Sequence, residues 1–554
     1  METKTDARKE WTLTVQGMTC DRCANMVDGV LASIPGVVWS VTKHDQGKSR
    51  VVTEAHVEAS TLAGAVREKG FTLVGHSARE IRGAGGGDGE ELDLLILGAG
   101  SAGFAAAIRA SELGARVAIV ERGPLGGTCV NVGCVPSKTL IRAAEAQHRA
   151  GHHAFAGIRV RTERPDFKAV IEQKARLVAE LQQAKYWDVL AAYPGIELMR
   201  GQAHLRPDGG VEVDGQLIRT RNVLLSMGAS PWAPPIEGLS GLPFLTSTTL
   251  MELEEQPAHL IAIGGGAVGL ELAQAFARLG TKLTVLEALP HVVPAEDPEV
   301  GDALAGYLRE EGLTVRSGVR VHQVSGEPGR YRVVAEDNNG RFVVEGDQLF
   351  VATGRRANTS GMGLEEAGIQ LGHKGEVTVD DRLKTKLPHV YAAGDVVGDP
   401  AFVYVAAYAG SLAAENALNG DSRTLDLSVV PRVTFTDPAI ASVGLTEEEA
   451  LARGLAIEVS RLPMSHVPRA IAARDTRGFI KLVADEKTNL LLGAHILAPE
   501  AGEMIQEAVM AMRFQVRVRE IASLLHPYLT NAEGMKLACQ TFSKDVAKLS
   551  CCAA

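Results

Sequence analysis

No uninterrupted apolar run reaches the roughly 18 residues that a membrane-spanning helix requires, so no transmembrane segment is expected in this chain of 554 residues. Its opening, METKTDARKE, has no apolar h-region and is not read as a secretory signal. Positive charge is also in deficit. The formal net charge is −10, which argues against the basic stripe of a nucleic-acid protein, so neither nucleic acid nor membrane is an expected partner. Cysteine is scarce, with seven residues, too few for a disulfide scaffold of this length. What is present is their grouping: Cys20 with Cys23, Cys129 with Cys134, Cys551 with Cys552, and Cys539 alone. Paired cysteines in a chain without an export signal read as redox or metal chemistry, and the expected compartment is the cytoplasm.

The chain is long enough for several domains. Residues 10–76 alternate as a strand (WTLTVQGM), a helix from Cys20 to Ile34, two strands (VVWSVTKH, SRVVTEAHV), a helix (TLAGAVREKG) and a last strand (FTLVG). That βαββαβ order predicts a ferredoxin-like domain over 1–78. Residues 79–91, rich in glycine and charge, predict a flexible tether. From Leu92 the texture changes to apolar strand, glycine turn, helix, and a second strand ending in an acid, and residues 259–287 repeat that design. The expected architecture is an α/β and α+β multidomain chain. Two Rossmann-type dinucleotide-binding domains occupy 92–240 with 356–428, and 241–355, and an α+β domain follows over 429–554.

Gly98, Gly100 and Gly103 form GxGxxG between a strand and a helix, with Glu121 ending the next strand. The first glycine permits the tight turn, the second lets backbone approach a pyrophosphate, and the third lets helix and strand pack closely. Gly264, Gly266 and Gly269 repeat the pattern, with Glu287 as the acid. A carboxylate there repels a ribose 2′-phosphate and favours NADH, unless it points to solvent and decides nothing.

GGTCVNVGCVPSK (126–138) follows the first unit directly. Cys129 and Cys134 open a helix, whose N-terminus stabilises a thiolate, and their spacing allows a disulfide. Two buried core cysteines would be the bland alternative. With the flanking fingerprints, this segment resembles the flavin-dependent pyridine-nucleotide disulfide oxidoreductases, from residue 92 onward. YAAGD (391–395) and ATGRRANT (352–359) match that family, and SMGASP (226–231) departs locally from its usual ATG. The resemblance implies FAD at the first fingerprint, held by Gly98, Gly100, Gly103, Glu121, Gly127, Thr128, Lys138, Ala203, Asp395 and Val403. It implies NADPH at Gly264, Gly266, Gly269, Glu287 and Gly354, with NADH admitted by Glu287. By the same resemblance Cys134 faces the flavin, Cys129 is the interchange thiol, and Lys138 pairs with a glutamate that the sequence does not identify.

Disulfide-reducing members carry a histidine followed five residues later by a glutamate, a dyad that protonates the departing thiol. Here HPYLTNAEG (526–534) keeps His526, puts Asn531 where the glutamate belongs, and has Glu533 two residues late. An impaired dyad is expected, which counts against a dihydrolipoamide dehydrogenase.

GMTCDRC (17–23) resembles the loop of heavy-metal-associated domains, and two thiolates there suit a soft two-coordinate cation such as Cu(I) or Hg(II). A soft-metal domain, a flavin dithiol and a terminal SCCAA together resemble the mercuric reductases. That resemblance implies Hg(II), presented as thiol complexes, as substrate. It places metal on Cys20 and Cys23, then on Cys551 and Cys552 of a mobile tail, then on Cys129 and Cys134. Tyr186 and Tyr528 border the last pair, and the bland reading makes both ordinary packing residues. A homodimer follows if the tail serves its partner's site, and a mercury transporter or organomercurial lyase is a possible donor. Cys539 is expected in the core. The rival readings are a dihydrolipoamide-dehydrogenase-like reductase and a metal chaperone whose reductase portion keeps Cys20 and Cys23 reduced.

Overall fold

The computed structural model describes residues 7–19, 21–44, 46–82 and 91–548. Cys20, Cys551 and Cys552 lie outside them, as do residues 83–90 of the expected tether. The chain divides into two compact units, one holding residues up to 131, 175–230 and 356–425, the other 132–174, 231–355 and 426 onward.

In the first unit, the N-terminal domain begins with the strand Ala7–Gln16, whose alternation buries Trp11, Leu13 and Val15. The helices Asp21–Ala32 and Ala59–Glu68 cover that face with Val27, Leu31, Leu62 and Val66. The antiparallel sheet runs Val37–Lys43, Lys48–Glu54, Ala7–Gln16, Thr72–Arg82, which is the ferredoxin-like order. One boundary differs from expectation. The last strand continues through Arg79–Arg82, assigned above to the tether, because the first strand starts early at Ala7 and offers backbone groups that pair as far as Ala7 with Arg82.

The same unit holds a five-stranded parallel sheet in the order Val390–Ala392, Val223–Leu225, Leu94–Leu97, Val117–Glu121, Ile196–Arg200. Leu94 to Leu97 are all buried, the continuous apolar run of a strand covered on both faces. The late strand Val390–Ala392 joins a sheet built otherwise from residues before 226.

The second unit holds a four-stranded parallel sheet, ordered Thr314–Arg316, Lys282–Leu286, His259–Ile263, Gln348–Val351. It also holds an antiparallel five-stranded sheet, ordered Arg432–Thr434, Ala439–Gly444, Leu491–Ala498, Phe479–Asp485, Ile457–Pro463. A buried charge network ties the two. Arg278, at the end of the helix Ala267–Arg278, meets Glu311 at 2.6 Å and Asp437 at 3.0 Å, and Arg477 meets Asp437 at 2.8 Å. Burial works to raise the Asp437 carboxyl, but Arg477 and Arg278 outweigh it and hold it below the usual carboxylate range. Among the described residues no helix is long and apolar enough to cross a membrane.

Candidate active site

The first glycine turn is built by close approach. Gly98 has φ +104°, and a Cβ there would lie 2.5 Å from the Ser226 carbonyl oxygen. A Cβ on Gly103 would lie 2.0 Å from the Gly98 oxygen. Gly100 caps the helix Ser101–Glu112, so its first-turn amides face the turn with the helix's positive end. The second turn repeats this: a Cβ on Gly269 would lie 2.3 Å from the Gly264 oxygen, and Gly266 caps Ala267–Arg278 with open space before it.

Both acids are tied to their turns. Glu121 accepts from Ala99 N at 2.8 Å and Gly123 N at 2.7 Å. Glu287, only 7% exposed, accepts from Gly265 N at 2.6 Å and Leu289 N at 2.8 Å. The solvent-pointing alternative for Glu287 is therefore overturned. Its carboxylate is a fixed negative charge beside the turn.

Cys129 lies half-buried in the short helix Gly127–Val132, and Cys134 is the exposed first residue of the helix Cys134–Gly151. The segment before them is pinned by two residues that sequence reasoning missed. Asn131 Nδ2 donates to Leu125 O at 3.0 Å and Gly127 O at 2.8 Å, while Gln182 Nε2 donates to Leu125 O and to Asn131 Oδ1, both at 3.0 Å. Asn131 stands inside the quoted cysteine motif, but nothing local to it points to Gln182. Gln182 immediately precedes a π-helical turn, Gln183–Trp187, of the kind often found at functional sites. That turn carries Tyr186, half-buried, with its ring 4.9 Å from Phe104 and packed over Gly126. Thr128 is half-buried beside Cys129.

Lys138 finds its glutamate in Glu271. The Nζ to Oε2 distance is 2.6 Å, and Glu271 is 5% exposed. The other Glu271 oxygen accepts from Phe435 N at 2.8 Å, and Lys138 Nζ stands 4.7 Å from the Phe435 ring centroid. Glu271 follows Gly269 by two residues, and its only signal was an acid among the apolar residues that open the helix Ala267–Arg278.

Other expected cofactor residues fall in several settings. Asp395 starts a short 3₁₀ turn, half-buried, and Val403 is the exposed first residue of the helix Val403–Asn419. Ala203 is buried in the strand Ala203–Leu205. Gly354 has φ +120° and its carbonyl accepts from Trp232 N at 3.0 Å.

At the C-terminal end, Tyr528 is 58% exposed. Cys539 is buried, as expected, and burial first, with the Glu507 charge second, pushes its thiol well above the ordinary range. His526 has a carboxylate partner after all, but not Glu533, the one acid weighed in the sequence: its Nε2 lies 2.8 Å from Glu507 Oε1. In the N-terminal loop Cys23 is half-buried, its Sγ 3.8 Å from Thr19 Oγ1. Among the described residues no group of three or more His, Cys, Asp or Glu is arranged to hold a metal ion. The cysteine pairs offer two ligands each, which suits a soft cation that accepts two.

Two dinucleotide turns, and a dithiol motif that follows the first and ends in a lysine paired with a buried glutamate, define a dithiol oxidoreductase that works with two nucleotides. Residues 92–410 match the family described as pyridine nucleotide-disulphide oxidoreductase, residues 430–539 match its dimerisation domain, and residues 12–72 match the heavy-metal-associated domain. The chain belongs to the pyridine nucleotide-disulphide oxidoreductase family, and is an FAD-dependent oxidoreductase that uses NAD(P)H. Its dimerisation domain supports a homodimer. Among curated proteins it is 40% identical to a mercuric reductase of Lysinibacillus sphaericus, over 98% of this chain and 100% of that one. It is 46% identical to one of Streptomyces lividans, over 83% of this chain and 98% of that one. Among solved structures it resembles the HOCl-induced flavoprotein disulfide reductase RclA from Escherichia coli, with a TM-score of 0.72 and 31% identity over 82% of this chain and 100% of that one.

The residues present fit the two nucleotides, since each turn leaves a bare backbone cradle at a helix N-terminus where a side chain would intrude. Gly103→Val tests the first. The added atoms meet backbone at 2.0 Å, so the purified protein should retain less than about a tenth of its flavin absorbance, an overpacking effect of about 1–3 kcal/mol or more. Full flavin content in that variant would refute the assignment of the first turn.

Proposed function

We propose that the chain reduces Hg(II), delivered as a thiol complex, to Hg(0) at the expense of NAD(P)H. The observation that carries this reading is the union in one chain of a heavy-metal-associated domain and a flavin-type dithiol reductase, over a length that relatives named mercuric reductase match end to end. The reaction balances as one NAD(P)H, one proton and one bis-thiolate Hg(II) giving NAD(P)⁺, Hg(0) and two thiols. Bound FAD supplies two-electron transfer between a pyridine nucleotide and the dithiol site.

The chain's own residues do the rest. Cys20 and Cys23 capture the metal, Cys551 and Cys552 relay it, and Cys129 and Cys134 hold it for reduction. Each transfer exchanges thiolate for thiolate, so no free ion forms. Tyr186 and Tyr528 border the final pair. Lys138, fixed by Glu271, adds a positive charge at the flavin site. Gly98, Gly100, Gly103, Glu121, Gly127, Thr128, Ala203, Asp395 and Val403 seat FAD, and Gly264, Gly266, Gly269, Glu287 and Gly354 seat the nicotinamide nucleotide. In a homodimer the tail serves the partner's site. The reaction belongs in the cytoplasm, where thiols stay reduced, with a mercury transporter or organomercurial lyase as donor.

NADH is the better nucleotide on this reading. Glu287 is a fixed buried acid, and no Lys or Arg occurs between it and Asp302. His291 already meets Asp302 at 2.7 Å, and Arg316 lies over the Phe342 ring, 3.6 Å from Asp337. A 2′-phosphate there would meet the Glu287 carboxylate, while His291 and Arg316 are already engaged by Asp302, Asp337 and the Phe342 ring.

Oxidation of NADH and NADPH by the purified protein, with and without Hg(II) in excess small thiol and with evolved vapour trapped, tests both points. Metal-dependent oxidation with one Hg(0) per nucleotide is expected. The kcat/KM for NADH should exceed that for NADPH about tenfold, equivalent to about 1.4 kcal/mol. Brisk lipoamide turnover without vapour would defeat the mercury reading, and an NADPH preference would defeat the role given to Glu287.

A further inference from the structure

The segment 524–531 is anchored at points that set an oxygen acceptor against each nitrogen of its histidine. His526 Nε2 lies 2.8 Å from Glu507 Oε1, on the helix Ala501–Arg513, and Nδ1 lies 3.2 Å from Leu524 O. The His526 side chain is 7% exposed. Both ring nitrogens therefore face acceptors within the chain. The position where a disulfide reductase carries its glutamate is spent on architecture: Asn531 Nδ2 donates to Pro499 O at 3.1 Å. Glu533, buried, accepts from Leu529 N at 3.3 Å.

Reducing a disulfide with a protein dithiol breaks the S–S bond and releases a thiolate, which must take up a proton. A histidine speeds that step only if a ring nitrogen can face the departing sulfur. Reduction of Hg(II) already held by the protein dithiol makes no such demand at that step: an uncharged metal leaves, both thiolates stay on the protein, and the small thiols departed earlier, taking the protons of the cysteines that replaced them.

We propose that Glu507 is a positioning residue that sets substrate class. It holds His526 Nε2 away from proton transfer and fixes the segment that carries Tyr528, so the site favours soft-metal complexes over disulfides. This rests on the mercury reading above.

The test compares NADH-driven reduction of lipoamide with reduction of Hg(II) in excess small thiol. Holoprotein and the variants His526→Phe, Glu507→Gln, Glu507→Ala and Glu507→Ala/His526→Phe are assayed, with flavin content as the folding control. His526→Phe should leave lipoamide turnover within about twofold of the unaltered chain, because the ring is not at work. Glu507→Gln should keep the unaltered profile, since its amide oxygen still accepts from Nε2. Glu507→Ala should raise lipoamide turnover at least about tenfold, the low end of general-acid assistance, and the double variant should lose that gain. Loss of lipoamide turnover in His526→Phe would overturn the proposal, as would a folded Glu507→Ala without the gain, or a gain that survives in the double variant. If Glu507→Ala does not retain flavin, His526→Phe alone decides. Absence of Hg(II) reduction by the unaltered chain would instead strike the mercury reading, and the lipoamide comparison would still stand.

Discussion

Cys134→Ala should lower Hg(II)-dependent NADH oxidation by about a thousandfold or more, and Cys129→Ala by a similar factor, because the two sulfurs act as one unit. A single protein thiolate cannot hold Hg(II) against excess thiol in solution, whereas two can. The double variant should be scarcely worse than either single one, the non-additivity expected of residues that fail together. Flavin content should stay full in all three, since neither cysteine belongs to the glycine turns that Gly98 and Gly103 build. That separates loss of chemistry from loss of the fold. Steady-state rates at saturating thiol, with vapour trapped, give the measurement. A single variant that kept more than about a tenth of the rate would mean that the metal is reduced elsewhere. Removing Cys551 and Cys552 should be milder. If the pair relays metal as proposed, its loss should slow bulky thiol complexes and spare small ones that reach Cys129 and Cys134 directly.

The fold was legible where local pattern and chemistry agree. The two GxGxxG turns have the close approaches that their spacing implies, and the alternation of the first strand put Trp11, Leu13 and Val15 inside. The misses share one cause, which is that partners distant in sequence leave no local pattern. Glu271 stands 133 positions from Lys138, and on an amphipathic helix a single buried acid resembles any other polar residue. Gln182 is 51 positions from Asn131 and reads as an ordinary helix residue. His526 was weighed against positions downstream, Asn531 and Glu533, since family spacing directed attention there, but its partner lies 19 positions upstream on another helix. The tether was drawn too long because Arg79–Arg82 carries charge, and charge alone does not prevent a strand whose partner begins at Ala7.

Glu271→Ala should cause the largest loss of stability. The substitution strips the acceptor from two groups at once, the Lys138 ammonium at 2.6 Å and the Phe435 amide at 2.8 Å. Breaking a buried ion pair by removing one partner costs about 3–5 kcal/mol, and the partial exposure of Lys138 lets water recover some of it, leaving about 2–4 kcal/mol. Glu271→Gln keeps a carbonyl oxygen for Phe435 N and loses only the charge, so its cost should be nearer 1–2 kcal/mol, on the scale of about one charged hydrogen bond. Lys138→Met leaves the buried carboxylate with the amide alone and should fall between them. Urea midpoints should therefore rank the unaltered protein above Glu271→Gln, and Glu271→Ala last. A cycle through Lys138→Met/Glu271→Gln should show a coupling energy of about 1–3 kcal/mol. Coupling near zero would mean that Glu271 serves the Phe435 backbone and leaves Lys138 to solvent. Turnover should follow the same order as stability if the pair acts on the flavin site as a brace. If turnover instead tracked only the loss of positive charge, with Lys138→Met slowest and Glu271→Gln near normal, the pair would be a charge at the site first and a brace second.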